Sequence, residues 1–262
     1  MDLGLKGKVA LVTGGSKGIG LAIAQSLLLE GCRVCIMSRS ADNLSIACET
    51  LGAQKPSVLV TYQGDVSERD ELLALHDFLS EGIGLPDIVI NNSGGPSMGS
   101  FLDHDDKAWQ QAFDQGFMAM VRLTRSFSKN MIDKGWGRFV SISSSVAIEP
   151  SSTMVLSASM RAGLAAFSKS ASLTLAETGV TFNTICPGGV ATDRLLDLVK
   201  VQADSRGVSL DEVLKESQNS IPMKRFADPK ELADLAVFLA SEKADYITGR
   251  VHVIDGGLTK SY

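Results

Sequence analysis

Short runs of β-branched and apolar residues alternate along the chain with longer stretches of helical period. Seven runs predict strands: VALVT (Val9 to Thr13), VCIMS (Val34 to Ser38), VLVTYQ (Val58 to Gln63), DIVIN (Asp87 to Asn91), RFVSIS (Arg138 to Ser143), VTFNTI (Val180 to Ile185) and RVHVID (Arg250 to Asp255). Between the first six lie amphipathic stretches such as IGLAIAQSLLLEG and AWQQAFDQGFMAMVRLTRSFSKNMIDKG. Strands that are apolar at nearly every position are covered on both faces, so the pattern predicts an α/β fold with a parallel sheet between helices. Nothing reads as a linker, a low-complexity tract or a repeat, and residues 1–262 are expected to form a single domain. Arg194 to Pro222 breaks the alternation with two short helical patterns interrupted by Ser205-Arg206-Gly207. Such an excursion before the last helix and strand predicts a helical lid at 194–222; a surface helix pair without a ligand role is the alternative.

Composition narrows the partners. The 262 residues are 44% hydrophobic and 21% charged, ordinary globular usage with ample material for a core. A net charge of −5 argues against a polyanion-binding surface, so no nucleic-acid partner is expected. No apolar run approaches the ~20 residues that cross a bilayer, so no membrane partner is expected. The N-terminal MDLGLKGKVALVTGG lacks the features of a signal peptide, and a cytoplasmic protein is the expectation. Of the four cysteines, Cys32 and Cys35 form a C-x-x-C within an apolar strand pattern. Residues three apart on a strand point to opposite faces, so these thiols are expected to be buried small hydrophobes and no metal site is expected.

The first strand runs into TGGSKGIG (Thr13 to Gly20), which opens the first helix. Gly14, Gly18 and Gly20 permit a tight turn, close approach of backbone to a pyrophosphate and close helix–strand packing. Ser16, Lys17 and Ile19 complete the turn, where helix amides and a positive dipole end await an anion. This turn makes the expected fold a doubly wound, Rossmann-type sheet of seven parallel strands. An acid at the end of the second strand would favour NAD, but Ser38-Arg39 stands there. With Lys17 they suit a 2′-phosphate, and NADP(H) is the expected cofactor.

These motifs resemble the short-chain dehydrogenase/reductase family over nearly the whole chain. Asp65 in GDVS matches the family's adenine-contacting acid, with Val66 beside it. Asn91-Asn92-Ser93-Gly94 is similar to the family's N-N-A-G motif, and Asn183 to Gly188 with Thr192 to its N-x-x-x-P-G segment and following threonine. FADPKELADLAVFLAS and YITGRVHVIDGG match the last helix and strand. The resemblance implies cofactor contacts at Asn92, Gly94, Pro187, Gly188 and Thr192. It also implies a homodimer or homotetramer packed through long helices at Lys107–Ile132 and Val155–Ala176. Phe113, Phe117, Met120 and Leu123 are candidates for that interface, or equally for the face packed on the sheet.

The departures concern catalysis. The family pattern has Asn, Ser, Tyr and Lys, with the tyrosine as proton donor and the lysine lowering its pKa. Serine is present as Ser144, whereas VLSASMRAGL aligns Ser157 and Arg161 with the Tyr and Lys. The asparagine's place, counted from Trp109, is Gly116. The tyrosines, Tyr62, Tyr246 and Tyr262, lie in unrelated segments. Ser157 and Arg161 share a helix face. The guanidinium is suited to stabilising an alkoxide, though not to giving up a proton. Glu149, His104 and Cys186 are minor candidates for the missing acid, while Asp103, Asp105 and Asp106 read as helix caps. The resulting expectation is an atypical NADP(H)-dependent oxidoreductase acting on a small-molecule carbonyl or alcohol, with Ser144, Ser157 and Arg161 at the chemistry. The alternatives are a non-catalytic NADP(H)-binding sensor or subunit, and an enzyme using the pocket for dehydration or isomerisation.

Overall fold

Strand β1 (Val9–Thr13) is buried at all five positions, which places it in the middle of the sheet rather than at an edge. The computed structural model describes residues 1–52 and 58–261. The other strands are β2 (Arg33–Ser38), β3 (Leu59–Gln63), β4 (Ile88–Asn91), β5 (Gly137–Ile142), β6 (Val180–Pro187) and β7 (Arg250–Ile254). They form one parallel sheet in the order β3-β2-β1-β4-β5-β6-β7. The chain winds outward from β1 to β3, then returns to the other side of β1 with β4. This reversal opens a crevice beyond the carboxyl ends of β1 and β4, the place where such sheets bind ligands.

Helices α1 (Gly18–Leu29), α2 (Ala41–Leu51), α3 (Arg69–Glu81), α4 (Asp106–Phe113), α5 (Ala119–Lys134), α6 (Val155–Thr174), α7 (Asp193–Arg206), α8 (Leu210–Ser220) and α9 (Pro229–Leu239) complete the described elements. Alternate residues of β1 sort them into layers. Ala10 and Val12 pack with Ile23, Leu27, Leu44, Ala236 and Leu239 from α1, α2 and α9. Val9 and Leu11 pack with Leu75, Leu79, Phe127, Met131 and Leu164 from α3, α5 and α6. Cys32 joins the first cluster and Cys35 the second, on opposite sides of the sheet. Burial pushes both thiols up to about 12, with nearby Glu30 and Asp87 adding to the effect at Cys32, so both remain protonated.

The long helix expected over Lys107–Ile132 is interrupted. Asp114–Met118 forms a π-helical turn between α4 and α5, centred on Gly116. Glycine is a poor helix former, and a Cβ at position 116 would lie 3.2 Å from the Met160 Cβ. The wider turn divides the four apolar residues read as one face. Met120 and Leu123 are buried on the sheet. Phe113 and Phe117 stack together at 5.4 Å, with Phe117 meeting Phe167 of α6 edge-on. Of the three aspartates expected to cap, Asp105 accepts from the Ala108 amide and Asp106 lies in the first turn. Asp103 instead holds the preceding loop, accepting from the amide and hydroxyl of Ser100.

The loop after β5 is fastened from an unexpected direction. Glu149, considered as an acid, accepts hydrogen bonds from the Lys260 amide at 2.5 Å, the Ser261 amide at 2.8 Å and the Ser261 hydroxyl at 2.9 Å. These donors hold its carboxyl below the usual carboxylate range. Sequence spacing gives no hint of this contact, because the partners are over a hundred residues apart.

Two expectations follow from this architecture. Phe182 is fully buried and stacks on Phe139 with ring centroids 4.6 Å apart. Phe182→Ala is therefore expected to cost about 3–5 kcal/mol in urea unfolding, through lost burial and a residual cavity. For the tail, a carboxyl whose folded pKa is depressed stabilises the fold above its ordinary range and loses that contribution as pH falls through the folded value. Glu149→Gln should speed hydrogen exchange at the Lys260 and Ser261 amides at neutral pH. The difference from wild type should close as acid protonates Glu149; equal exchange at neutral pH would refute the clasp.

Candidate active site

The crevice is built on one side chain. Asn92, just past β4, donates from Nδ2 to the Gly14 carbonyl at 3.1 Å and to the Thr13 carbonyl at 3.3 Å. The Thr13 hydroxyl donates to the Asn92 carbonyl at 2.8 Å and accepts from the Asn92 amide at 3.0 Å. Two parallel strands are thus joined past their last ladder bonds. The glycines of the turn make room for this joint: a Cβ on Gly14 would lie 2.7 Å from the Asn92 carbonyl oxygen, and one on Gly20 would lie 2.2 Å from the Gly14 carbonyl oxygen. Gly14 and Gly18 also have left-handed φ values of 57° and 52°.

A cleft of about 520 Å³ opens above the joint. Gly14, Lys17, Gly18, Ile19, Arg39, Asn92, Gly94 and Thr192 line it, together with Ser144, Ser157 and Arg161. A smaller recess of about 120 Å³ shares Gly14, Arg39, Asn92 and Gly94 and adds Ser38, Asp65 and Val66. The shared residues make one continuous groove across the sheet's reversal point. Ser16, Gly20, Pro187 and Gly188 lie beneath rather than on these surfaces. Ser16 donates to the Ser38 hydroxyl at 2.9 Å, holding the glycine turn to the end of β2. Pro187 is buried in β6, and the Gly188 amide donates to the Ile254 carbonyl at 3.0 Å. Thr192 caps α7, accepting from the Leu195 amide at 3.4 Å.

At the end of β2 the Arg39 guanidinium is two-thirds exposed and stands 3.7 Å from Asp65. Asp65 directs its other carboxylate oxygen to the amide and hydroxyl of Ser67, at 2.9 and 2.7 Å. One carboxylate thus shapes its own turn while facing the cation of the neighbouring strand.

The opposite end of the cleft carries Ser144, Ser157 and Arg161. Ser144 leaves β5 in an extended conformation and caps a 3₁₀ turn at Ser145–Ala147, accepting from the Val146 amide at 3.4 Å. Ser157 lies in the first turn of α6 and is 4% exposed. Arg161 follows one turn later. Its Nε donates to the Ser157 hydroxyl at 3.2 Å, and its Nη1 to the carbonyls of Ile142 and Ser143, both at 2.8 Å. Those carbonyls lie at the carboxyl end of β5, where the strand ladder runs out, and the guanidinium satisfies them. Burial draws Arg161 down to about 10, with Arg194 contributing by repulsion, so it remains a cation at neutral pH. The Nη2 hydrogens have no protein acceptor among the described residues. By accepting from Nε, the Ser157 oxygen keeps its own proton free to donate.

Several contributors are not singled out by the sequence, although Arg194, Asp197 and Leu198 belong to the segment 194–222 expected as a lid. Asp193, Arg194, Asp197 and Leu198 at the start of α7 form one wall, and Met154 lies opposite. Arg194 donates from Nη2 to the Pro96 carbonyl at 2.7 Å, joining α7 to the loop after β4. Gln115, beside Gly116 in the π turn, donates to the Gly94 carbonyl at 3.1 Å. Of the remaining acid candidates, His104 packs its Nε2 toward Gly99. Cys186 is buried beside Ser143, Ser144 and Arg161, its thiol pushed up by desolvation while those neighbours draw it the other way. Tyr62 donates to the Glu71 carbonyl at 3.2 Å and Tyr246 points fully into solvent. Tyr262 lies outside the described residues.

Known proteins match this chain along its length. A family model described as enoyl-(acyl carrier protein) reductase matches residues 14–259. The uncharacterized oxidoreductase YvrD of Bacillus subtilis (strain 168) is 31% identical, covering 100% of both chains. The L-sorbose reductase of Gluconobacter frateurii, solved with NADPH and L-sorbose, superposes with a TM-score of 0.94 at 32% identity, covering 100% of both chains. A structure described as a short chain dehydrogenase/reductase family protein superposes at 0.84 with 28% identity, covering 98% of each chain. With the reversal-point groove, the glycine turn and this end-to-end relatedness together, the chain belongs to the short-chain dehydrogenase/reductase family.

Proposed function

We propose that the protein is an atypical NADP(H)-dependent oxidoreductase that transfers hydride between the nicotinamide and a small carbonyl or alcohol substrate. The observation that carries this reading is the contact of Arg161 Nε with the Ser157 hydroxyl, in the same cleft as the glycine turn and Thr192. The groove's residues fit the cofactor. Side-chain-free positions at Gly14 and Gly18 leave amides at the start of α1 open to a pyrophosphate. Ser38, Arg39 and Lys17 offer hydroxyl and cationic partners to a 2′-phosphate. The L-sorbose reductase, solved with NADPH, is a relative over its full length.

When bound, the nicotinamide supplies a hydride to a carbonyl carbon or takes one from an alcohol carbon. Ser144 donates to the reacting oxygen. Arg161 stabilises negative charge developing there, and the Ser157 proton, freed by the Arg161 contact, points to the same oxygen. Neither side chain is a general acid of matched pKa, so the net proton comes from water relayed by Ser157. Without such an acid, turnover is expected to be about 10²- to 10⁴-fold below that of a reductase possessing one. Residues 1–262 act as one domain, with α7 and α8 in the segment 194–222 as the lid. Self-association would use the half-exposed Phe113–Phe117 pair with Phe167, while Met120 and Leu123 serve the core.

The test uses NADPH deuterated at the transferable C4 position, a pool of small carbonyl compounds and mass spectrometry of the products. A deuterated alcohol is expected from wild type, reduced roughly 10²-fold in Arg161→Gln. Bound NADPH with no label transferred would instead favour a non-catalytic NADP(H)-binding subunit. Cofactor choice has its own measurement. Arg39→Ala should weaken NADPH binding by about tenfold or more while leaving NADH binding nearly unchanged, since only the former carries the 2′-phosphate.

A further inference from the structure

Four cations line the cleft: Lys17, Arg39, Arg161 and Arg194. Lys17 and Arg39 are accounted for by a nucleotide phosphate. Arg161 is assigned to the charge developing on the reacting oxygen and Arg194 to nothing so far, and among the described residues neither has a resting counter-ion. Arg161 meets neutral partners, two carbonyls and a hydroxyl, and Arg194 meets the Pro96 carbonyl. Asp193 and Asp197 share the α7 wall, yet among the described residues no carboxylate forms an ion pair with either guanidinium. Arg122, Arg138, Arg206 and Arg225 are each paired with a carboxylate, whereas Arg33, Arg69, Arg125 and Arg250, which lie outside the cleft, form no ion pair among the described residues. Two like charges facing one cleft, one of them desolvated, form an arrangement that an incoming anion relieves.

Building on the oxidoreductase reading, we infer that the substrate is a short oxo acid, or the corresponding hydroxy acid, whose carboxylate lies between Arg161 of α6 and Arg194 of α7. The free Nη2 of Arg161 offers hydrogens toward such an anion, and the exposed Arg194 closes on it from the rim. Arg161 is bonded to the Ser143 carbonyl, next in sequence to Ser144, so the cation and the Ser144 hydroxyl share one end of the cleft. A short acid, such as a 2-oxo or 3-oxo acid, keeps its carboxylate near its carbonyl and suits that end. Met154 and Leu198 present apolar surface to the carbon chain. The same carboxylate would bridge the cleft's floor to its lid, because α6 carries one arginine and α7 the other.

The test compares acids with their neutral amides. Acetoacetate against acetoacetamide, and 2-oxobutanoate against 2-oxobutanamide, are titrated calorimetrically into the protein with and without NADPH. At least one acid is expected to bind about tenfold or more tightly than its amide. That ratio should fall about tenfold in Arg194→Gln and survive largely intact in Arg194→Lys. NADPH is titrated into the same preparations. Acids binding no better than amides, a ratio unchanged in Arg194→Gln, or binding of neither compound would overturn the carboxylate site. If that happens while NADPH binds, the cofactor reading stands and only the substrate class fails. Acid preference in a protein that does not bind NADPH would do the opposite, sustaining the anion site and removing the reductase reading on which its chemistry rests.

Discussion

The joint between Asn92 and the Thr13–Gly14 turn is the constraint on which the rest of the site depends. β1 and β4 are neighbours in space but belong to opposite halves of the sheet's winding, and their ladder stops before the ligand crevice begins. Four hydrogen bonds between Asn92 and this turn extend the pairing by one more step. The glycines of the turn thus have two roles. They keep side chains away from a phosphate, and they let Asn92 approach closely enough to close the joint. A methyl group on Gly20 would collide with the Gly14 carbonyl and crowd Asn92 Nδ2 at 2.7 Å, disturbing strand, turn and helix together.

A second ordering principle is the disposition of positive charge. Arg138 and Arg161 are both desolvated guanidiniums that satisfy backbone carbonyls, and burial lowers the pKa of each. Their surroundings differ in one respect. Arg138, 1% exposed, donates to the Gly137, Gly179 and Ser241 carbonyls, stacks on Trp136 and has Asp245 as counter-charge. This is a closed, structural use of the cation. Arg161 has the carbonyls and the hydroxyl but, among the described residues, no carboxylate, and it opens on the cleft. Burying a charge costs free energy, which Arg138 offsets with Asp245 and Arg161, among the described residues, with hydrogen bonds to neutral groups.

Further contacts tie together the elements around the cleft. The π turn at Asp114–Met118 directs Gln115 to the loop that Arg194 also grips, so α4, the Gly94–Pro96 segment and α7 are linked through two backbone carbonyls. The chain's C-terminal segment returns to fasten Glu149 on the loop after Ser144. Each link is individually small. Together they restrain the loops beyond β4 and β5, which bring Asn92, Ser93, Ser143 and Ser144 to the cleft.

The fold is legible in the sequence because it rests on local regularities. All seven strands and their parallel arrangement follow from apolar runs and helical period, and Cys32 and Cys35 fall on opposite faces as strand geometry requires. Two-sided burial holds for the inner strands but not at the edges, where β7 is largely exposed and β3 only partly buried. The glycine turn and the Ser38–Arg39 pair are likewise visible, since their spacing is local. What is not visible depends on residues distant in sequence. Gly116 offers no side chain to interpret, and its π turn is seen only once Met160 packs against it. Glu149 reads as a loop acid until residues 260 and 261 arrive to bind it. Arg161 can be placed on a face with Ser157 by helix period alone. That its guanidinium meets carbonyls at the end of β5 and shares a cleft with Arg194, with no ion pair to either among the described residues, is decided only by tertiary structure. Backbone periodicity is written in neighbouring residues, whereas the pairing of charges depends on which distant segments the fold brings within reach.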